Sequence, residues 1–194
     1  MSITKTSAIA NALVLGVALS SCAATESAGF RHMTAADHER AAQSGQDQTG
    51  ATAAEHLQAA RDLRAAEQAA CAEVPDIDRN QGPFARRDRI VAIEEIRDRV
   101  YPKQPKQTFG VAVYIRATLG TTEQWVGRVI QCHLAHYAVI GTAGAPETSL
   151  LLTDGARISI SSTQVGFRVS VTSADIDVAR QLLGKGRSLV ANAS

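Results

Sequence analysis

Aromatic side chains are scarce in this chain of 194 residues: four Phe, three Tyr and one Trp, 4% of the total. So few rings offer no evident stacking platform for bases or sugars. An excess of charge of either sign is also missing, with 20 basic and 19 acidic residues and a net charge of +1. That excludes a basic nucleic-acid-binding protein and a disordered acidic tail, and no nucleic-acid partner is expected. With 14 Gly and 5 Pro the chain is no collagen-like fibre. Catalytic signatures are missing too: there is no G-x-S-x-G, no H-E-x-x-H and no P-loop. The carboxylates of the domain sit mostly at turns and helix starts, a capping pattern. Neither an enzymatic activity nor a cofactor is expected. What is present is an ordinary 45% of hydrophobic residues, in a length that suits one modest domain.

The first residues read MSITKTSAIANALVLGVALSSC. Lys5 supplies a positive start, and Ala8 to Leu19 is mostly apolar, broken only by Asn11 and Gly16. The run falls short of the ~20 residues of a membrane span but suits the core of a signal peptide. Its ending, Leu19-Ser20-Ser21-Cys22, resembles a bacterial lipobox. The resemblance implies cleavage before Cys22 and acylation of its thiol and new amino group. Each buried CH₂ contributes ~0.8 kcal/mol, so two or more acyl chains hold a protein at a bilayer without a spanning helix. The competing reading is a plain secretory signal with Cys22 incidental. By analogy with such lipoproteins, Ala23 rather than Asp after the cysteine favours the outer membrane, with the protein facing the periplasm. In that oxidising compartment the remaining pair, Cys71 and Cys132, reads as a disulfide. The alternative is two small buried thiols.

The expected organisation is a signal peptide over 1–21, a flexible tether over 22–51, an Ala-rich helix over 52–74 and an α/β domain over 75–192. Within the tether, Thr34 and Asp37 mark a short helix near 34–43. The Ala-rich segment has only Leu57 and Leu63 as large apolar residues, so its sticky stripe is narrow and it leans on a neighbour. Acidic residues outnumber basic ones up to residue 75, and the balance reverses afterwards. Turn chemistry predicts a loop from Pro75 to Phe84. Ile90–Arg97 reads as a strand, despite some helical character. Phe109–Ala117, Ala156–Thr163 and Val165–Thr172 alternate as half-buried strands, the last two forming a hairpin. Trp125, Val126, Val129, Ile130, Tyr137 and Ile140 share a helical face, opened by Thr121 with Gln124 and closed by Gly141 and Gly144. Ser173 opens a last helix carrying Ile176, Ala179, Leu182, Leu183 and Leu189. The expected fold is α+β: a two-layer sandwich of an antiparallel sheet, β-β-α-β-β-α, with two helices on one face and the Ala-rich helix before it.

Three groups carry possible chemistry. Asp76-Ile77-Asp78-Arg79-Asn80 has the opening spacing of a calcium loop, but Gln81 and Arg87 stand where that loop needs Gly and Glu. A turn stabilised by Asp side chains is the simpler account. His133 and His136 are three apart on a helix and can share a metal ion, with Cys71 joining if not oxidised. The bland reading is that His133 is a partly buried histidine with one hydrogen bond. His32, His38 and His56 read as solvated. On the open sheet face, alternation places Tyr114, Arg116, Arg157, Ser159, Ser161, Arg168 and Ser170. Three guanidiniums beside hydroxyls can bind a carboxylate, phosphate or glycan anion, or simply keep the face wet.

The stretches AACAEVPDIDRNQGPF and TTEQWVGRVIQCHLAH, with the final hairpin and helix, resemble a group of uncharacterised small bacterial lipoproteins. The likeness covers about Ala69 to Arg187. It implies a shared fold and an envelope location, and carries no activity. Members of that group often have a further cysteine just before the third strand. Here that region reads Glu147-Thr148-Ser149-Leu150, so the pairing of Cys71 with Cys132 stays open at this point. The expected role is a lipid-anchored, non-catalytic module. Its partners would be the membrane, through the lipid, and an envelope protein or cell-wall component.

Overall fold

The structure is a computed structural model; it describes residues 32–45, 49–98, 103, 105–143, 145 and 149–191. The signal sequence, Cys22 and Gly144 lie outside the described residues.

Two helices come first: α1 (Ala35–Ser44) and α2 (Ala53–Cys71). Each begins with a reciprocal capping box. Thr34 Oγ1 accepts from the Asp37 amide while the Asp37 carboxylate accepts from the Thr34 amide, and Thr52 and Glu55 repeat the arrangement. The hydrogen bond from Thr34 is the main cause holding the Asp37 carboxyl below its ordinary pKa. α1 lies against α2, so part of the expected tether is folded structure.

The expected loop after Pro75 is instead helical. α3 (Asp76–Gln81) has Asp76 and Asp78 in its first turn. Carboxylates there favour helix over loop because they face the positive end of the peptide dipoles. A 3₁₀ turn, Gly82–Phe84, follows and carries Phe84 into the core.

The remainder follows the expected order: β1 (Ile90–Asp98), β2 (Gln107–Arg116), α4 (Glu123–Ile140), β3 (Arg157–Ser162), β4 (Gly166–Thr172) and α5 (Ile176–Ala191). The fold is α+β, with one four-stranded sheet in the order β1-β2-β4-β3 and every neighbouring pair antiparallel. Two caps differ from expectation. Thr122, not Thr121, caps α4 by accepting from the Trp125 amide. Asp175, not Ser173, caps α5, because its Oδ1 reaches the Asp177 and Val178 amides while Ser173 Oγ only accepts from Asp175.

Both α4 and α5 cover one face of the sheet. Val111, Val113, Ile115, Phe167, Val169 and Val171 meet Val126 and Ile130 of α4 and Leu182 and Leu189 of α5. Leu150 and Leu151, from the segment before β3, complete this core. At Gly186 of α5 an added Cβ would lie 2.8 Å from Val111 Cγ2, so the glycine lets helix and strand approach closely. Ile140, expected on the buried face of α4, is 54% exposed because the helix ends there at Gly141.

α4 is buried on two sides. Its outer side carries Val129 and Cys132 against Cys71 and Val74, a second small cluster. The Sγ atoms of Cys71 and Cys132 stand 2.07 Å apart, so a disulfide staples α2 to α4. The acidic segment meets the basic domain at two further points, Glu73 with Arg128 and Glu67 with His136. No described helix is long and apolar enough to cross a membrane.

Candidate functional site

The strand register fixes which side chains share the open face. Ala92, Tyr114, Arg168 and Ser161 form one row across the four strands, and Glu94, Ala112, Ser170 and Ser159 form the next. No described helix packs on this face, whereas α4 and α5 take the other. Tyr114 Oη donates to Glu94 Oε2 at 2.8 Å. That bond raises the pKa of the phenol above its ordinary value, and Arg168 partly opposes the shift. The Arg168 stem is half-buried and its Nε is sealed without a hydrogen-bond partner.

The three guanidiniums do not form one cluster. Arg116, beside Gly166, sits two residues along β2 from Tyr114 and hence near Arg168. Arg157 pairs with Thr172, four residues along β4 from Arg168, about 13 Å at a strand's rise per residue. Arg168 and Arg116 therefore share one end of the face, and Arg157 belongs to the opposite end.

The histidines of α4 part company. His133 is 2% exposed, and its Nδ1 donates to the Arg79 carbonyl of α3 at 2.9 Å. Burial is the main reason its pKa lies below the ordinary imidazole value. Next to it, Gly82 adopts φ +67°, and a Cβ there would lie 3.2 Å from the His133 ring. His136 turns instead to α2, with Nδ1 2.6 Å from Glu67 Oε1. Tyr137 lies edge-on to both rings and donates to the Asn80 carbonyl.

The chain matches no family model, no curated protein and no solved structure.

Among the described residues no group of three His, Cys, Asp or Glu side chains is placed to hold a metal ion. The expected pairing of His133 with His136 is answered by separate partners, a backbone carbonyl for one and a carboxylate for the other. Cys71, the further ligand considered, is taken up in the disulfide.

Sequence reasoning missed one buried polar pair. His38 and His56, expected in solvent, are 3% and 0% exposed, with their Nδ1 atoms 2.9 Å apart. One imidazole donates from Nδ1 and the other accepts, which locks α1 onto α2. The available signal was position: His56 is four residues before Ala60, which is also buried, on a helix whose other buried residues, Ala60 and Cys71, are small.

Proposed function

We propose that this chain is a lipid-anchored protein of the bacterial cell envelope. It would be held by acyl chains on Cys22, on the periplasmic side of the outer membrane. Its disulfide-stapled α/β domain serves as a non-catalytic binding module. The partner is another envelope protein or a cell-wall component that presents acidic groups. The observation that carries this reading is the sheet face on which no described helix packs, with its Tyr114–Arg168–Ser161 row. A flat array of hydroxyls and guanidiniums on rigid strands suits recognition of carboxylates or phosphates by several modest contacts. The Cys71–Cys132 bond fits an oxidising compartment, and the resemblance to small lipoproteins agrees with that address.

Two measurements test the reading. Metabolic labelling with palmitate should mark the wild-type protein and not Cys22→Ala, which should leave the membrane fraction. A photo-crosslinking residue at Ser161 should give a discrete adduct in living cells, and Arg168→Glu should abolish it. A water-soluble product that keeps its initiator methionine would remove the anchor. A crosslinker at Ser161 that gives no adduct at any growth stage would remove the binding face.

A further inference from the structure

Beside His133 lies a cavity of about 160 Å³, bounded by α3, the following 3₁₀ turn, the segment before β3 and the end of α5. Its floor is apolar: Phe84, Leu150, Leu151 and Leu189 are all buried. A cavity of about 150 Å³ accommodates a benzene ring.

Two groups on the wall lack partners among the described residues. The Arg79 carbonyl can only accept, so His133 Nδ1 bears the proton and Nε2 keeps its lone pair in the neutral ring. Nε2 makes no hydrogen bond to any described residue, yet it is not among the polar atoms sealed from solvent; the ring lines the cavity. Burial reinforces the neutral state. The second group is Arg87, half-buried on the same wall, which forms no ion pair among the described residues. An acceptor, a cation and an apolar floor together specify a ligand with a donor, an anionic end and a compact apolar body.

We propose that this cavity binds a small hydroxylated ring carboxylate. The ring fills the apolar floor, the carboxylate pairs with Arg87, and the hydroxyl donates to His133 Nε2. The site uses no residue of the open sheet face and does not depend on acylation of Cys22, so it stands or falls apart from the proposed function.

The test uses the full chain with its disulfide intact, titrated with 3- and 4-hydroxybenzoate, which differ in the span between their polar ends. Calorimetry should show saturable binding of at least one isomer, and the His133 ring nitrogens should shift in long-range ¹H–¹⁵N spectra. Benzoate, lacking the donor, and phenol, lacking the anion, should each bind about tenfold more weakly or worse, the loss expected for one good hydrogen bond or charge pair. Substituting buried His133 can unfold the domain, so Arg87→Gln is the deciding variant. It should weaken hydroxybenzoate about tenfold or more and leave phenol unchanged. No saturation by either isomer at millimolar concentration would overturn the proposal. So would unmoved His133 resonances at saturation, or binding indifferent to Arg87→Gln.

Discussion

His133 shows how one buried side chain ties stability to pH. Its ring is enclosed, so the charged form is disfavoured in the folded protein and its pKa lies below the ordinary value. The unfolded chain binds the proton at about pH 6.5, before the folded chain does. Unfolding therefore takes up a proton in the window from about 6.5 down to the depressed folded value, and stability falls as pH drops through it. Urea midpoints measured from pH 8 to pH 5 should decline below about 6.5, and the decline should be shallower in His133→Gln. An equal slope in both proteins would assign the effect to other groups. Gly82 guards the same ring. At φ +67° and ψ −167° its backbone lies in a region nearly closed to other residues, and an added methyl group would press on His133 at 3.2 Å. Gly82→Ala should lower stability by about 1–3 kcal/mol through backbone strain alone, read as a drop in the thermal midpoint. A partly buried His133 with one hydrogen bond was legible from its place in an apolar stripe, but its contact with Gly82, which sits in an apparent loop, was not. The relation between them is made by tertiary packing.

The elements themselves were legible where a periodic pattern was long. Phe109 to Ala117 alternates strictly and became β2, and the last hairpin kept its predicted bounds to within two residues. Short segments were less legible. Six residues from Asp76 to Gln81 carry no periodicity long enough to reveal a helix, and Pro75 and Gly82 on either side imitate a loop. The core contribution of Leu150 and Leu151 was equally hidden, because an apolar pair outside any element has no period. The α1–α2 hairpin was half legible: one of its two capping boxes, Thr34 with Asp37, could be read, but its lock could not. Two scattered histidines 18 residues apart give no sign that they will meet. Replacing His56 with Ala removes the Nδ1 partner of His38 and hollows the interface, at about 1–3 kcal/mol for the disrupted buried hydrogen bond. Hydrogen exchange should then quicken along α1 while β2 and β4 stay protected. Thr52→Ala removes only a cap, costs ~1 kcal/mol, and should fray the first turn of α2. If exchange in the sheet accelerates as much as in α1, the hairpin is not a separate unit.

Across the whole molecule the bond between Cys71 and Cys132 decides how these parts cohere. α2 has little apolar surface with which to hold α4: besides the cystine, their shared cluster contains only Val74, Val129 and the partly buried Ala70 and Trp125. The ion pair of Glu73 with Arg128 is exposed and contributes little. The sheet and its two helices, by contrast, share ten buried core residues, joined by Phe84, Leu150 and Leu151, and need no staple. The bond closes a separation of 61 residues, and constraining the unfolded chain by that much is worth ~4 kcal/mol in the chain-entropy treatment. Most of that loss should fall on the weaker interface. Reducing the protein, or replacing both cysteines with Ala, should lower the urea midpoint and free α1 and α2. The β-sheet signal in far-ultraviolet circular dichroism should persist to higher denaturant. Limited proteolysis of the reduced protein should then cut between α2 and β1, where the oxidised protein resists. The cavity at His133 reports the same event, because α3 supplies the carbonyl that orients the ring and is tied to the sheet domain chiefly through its contacts with α4 and the following turn. If the reduced protein unfolds in one step, with the His133 ring resonances and the sheet signal lost together, then the staple supports the entire fold and the hairpin has no independent existence.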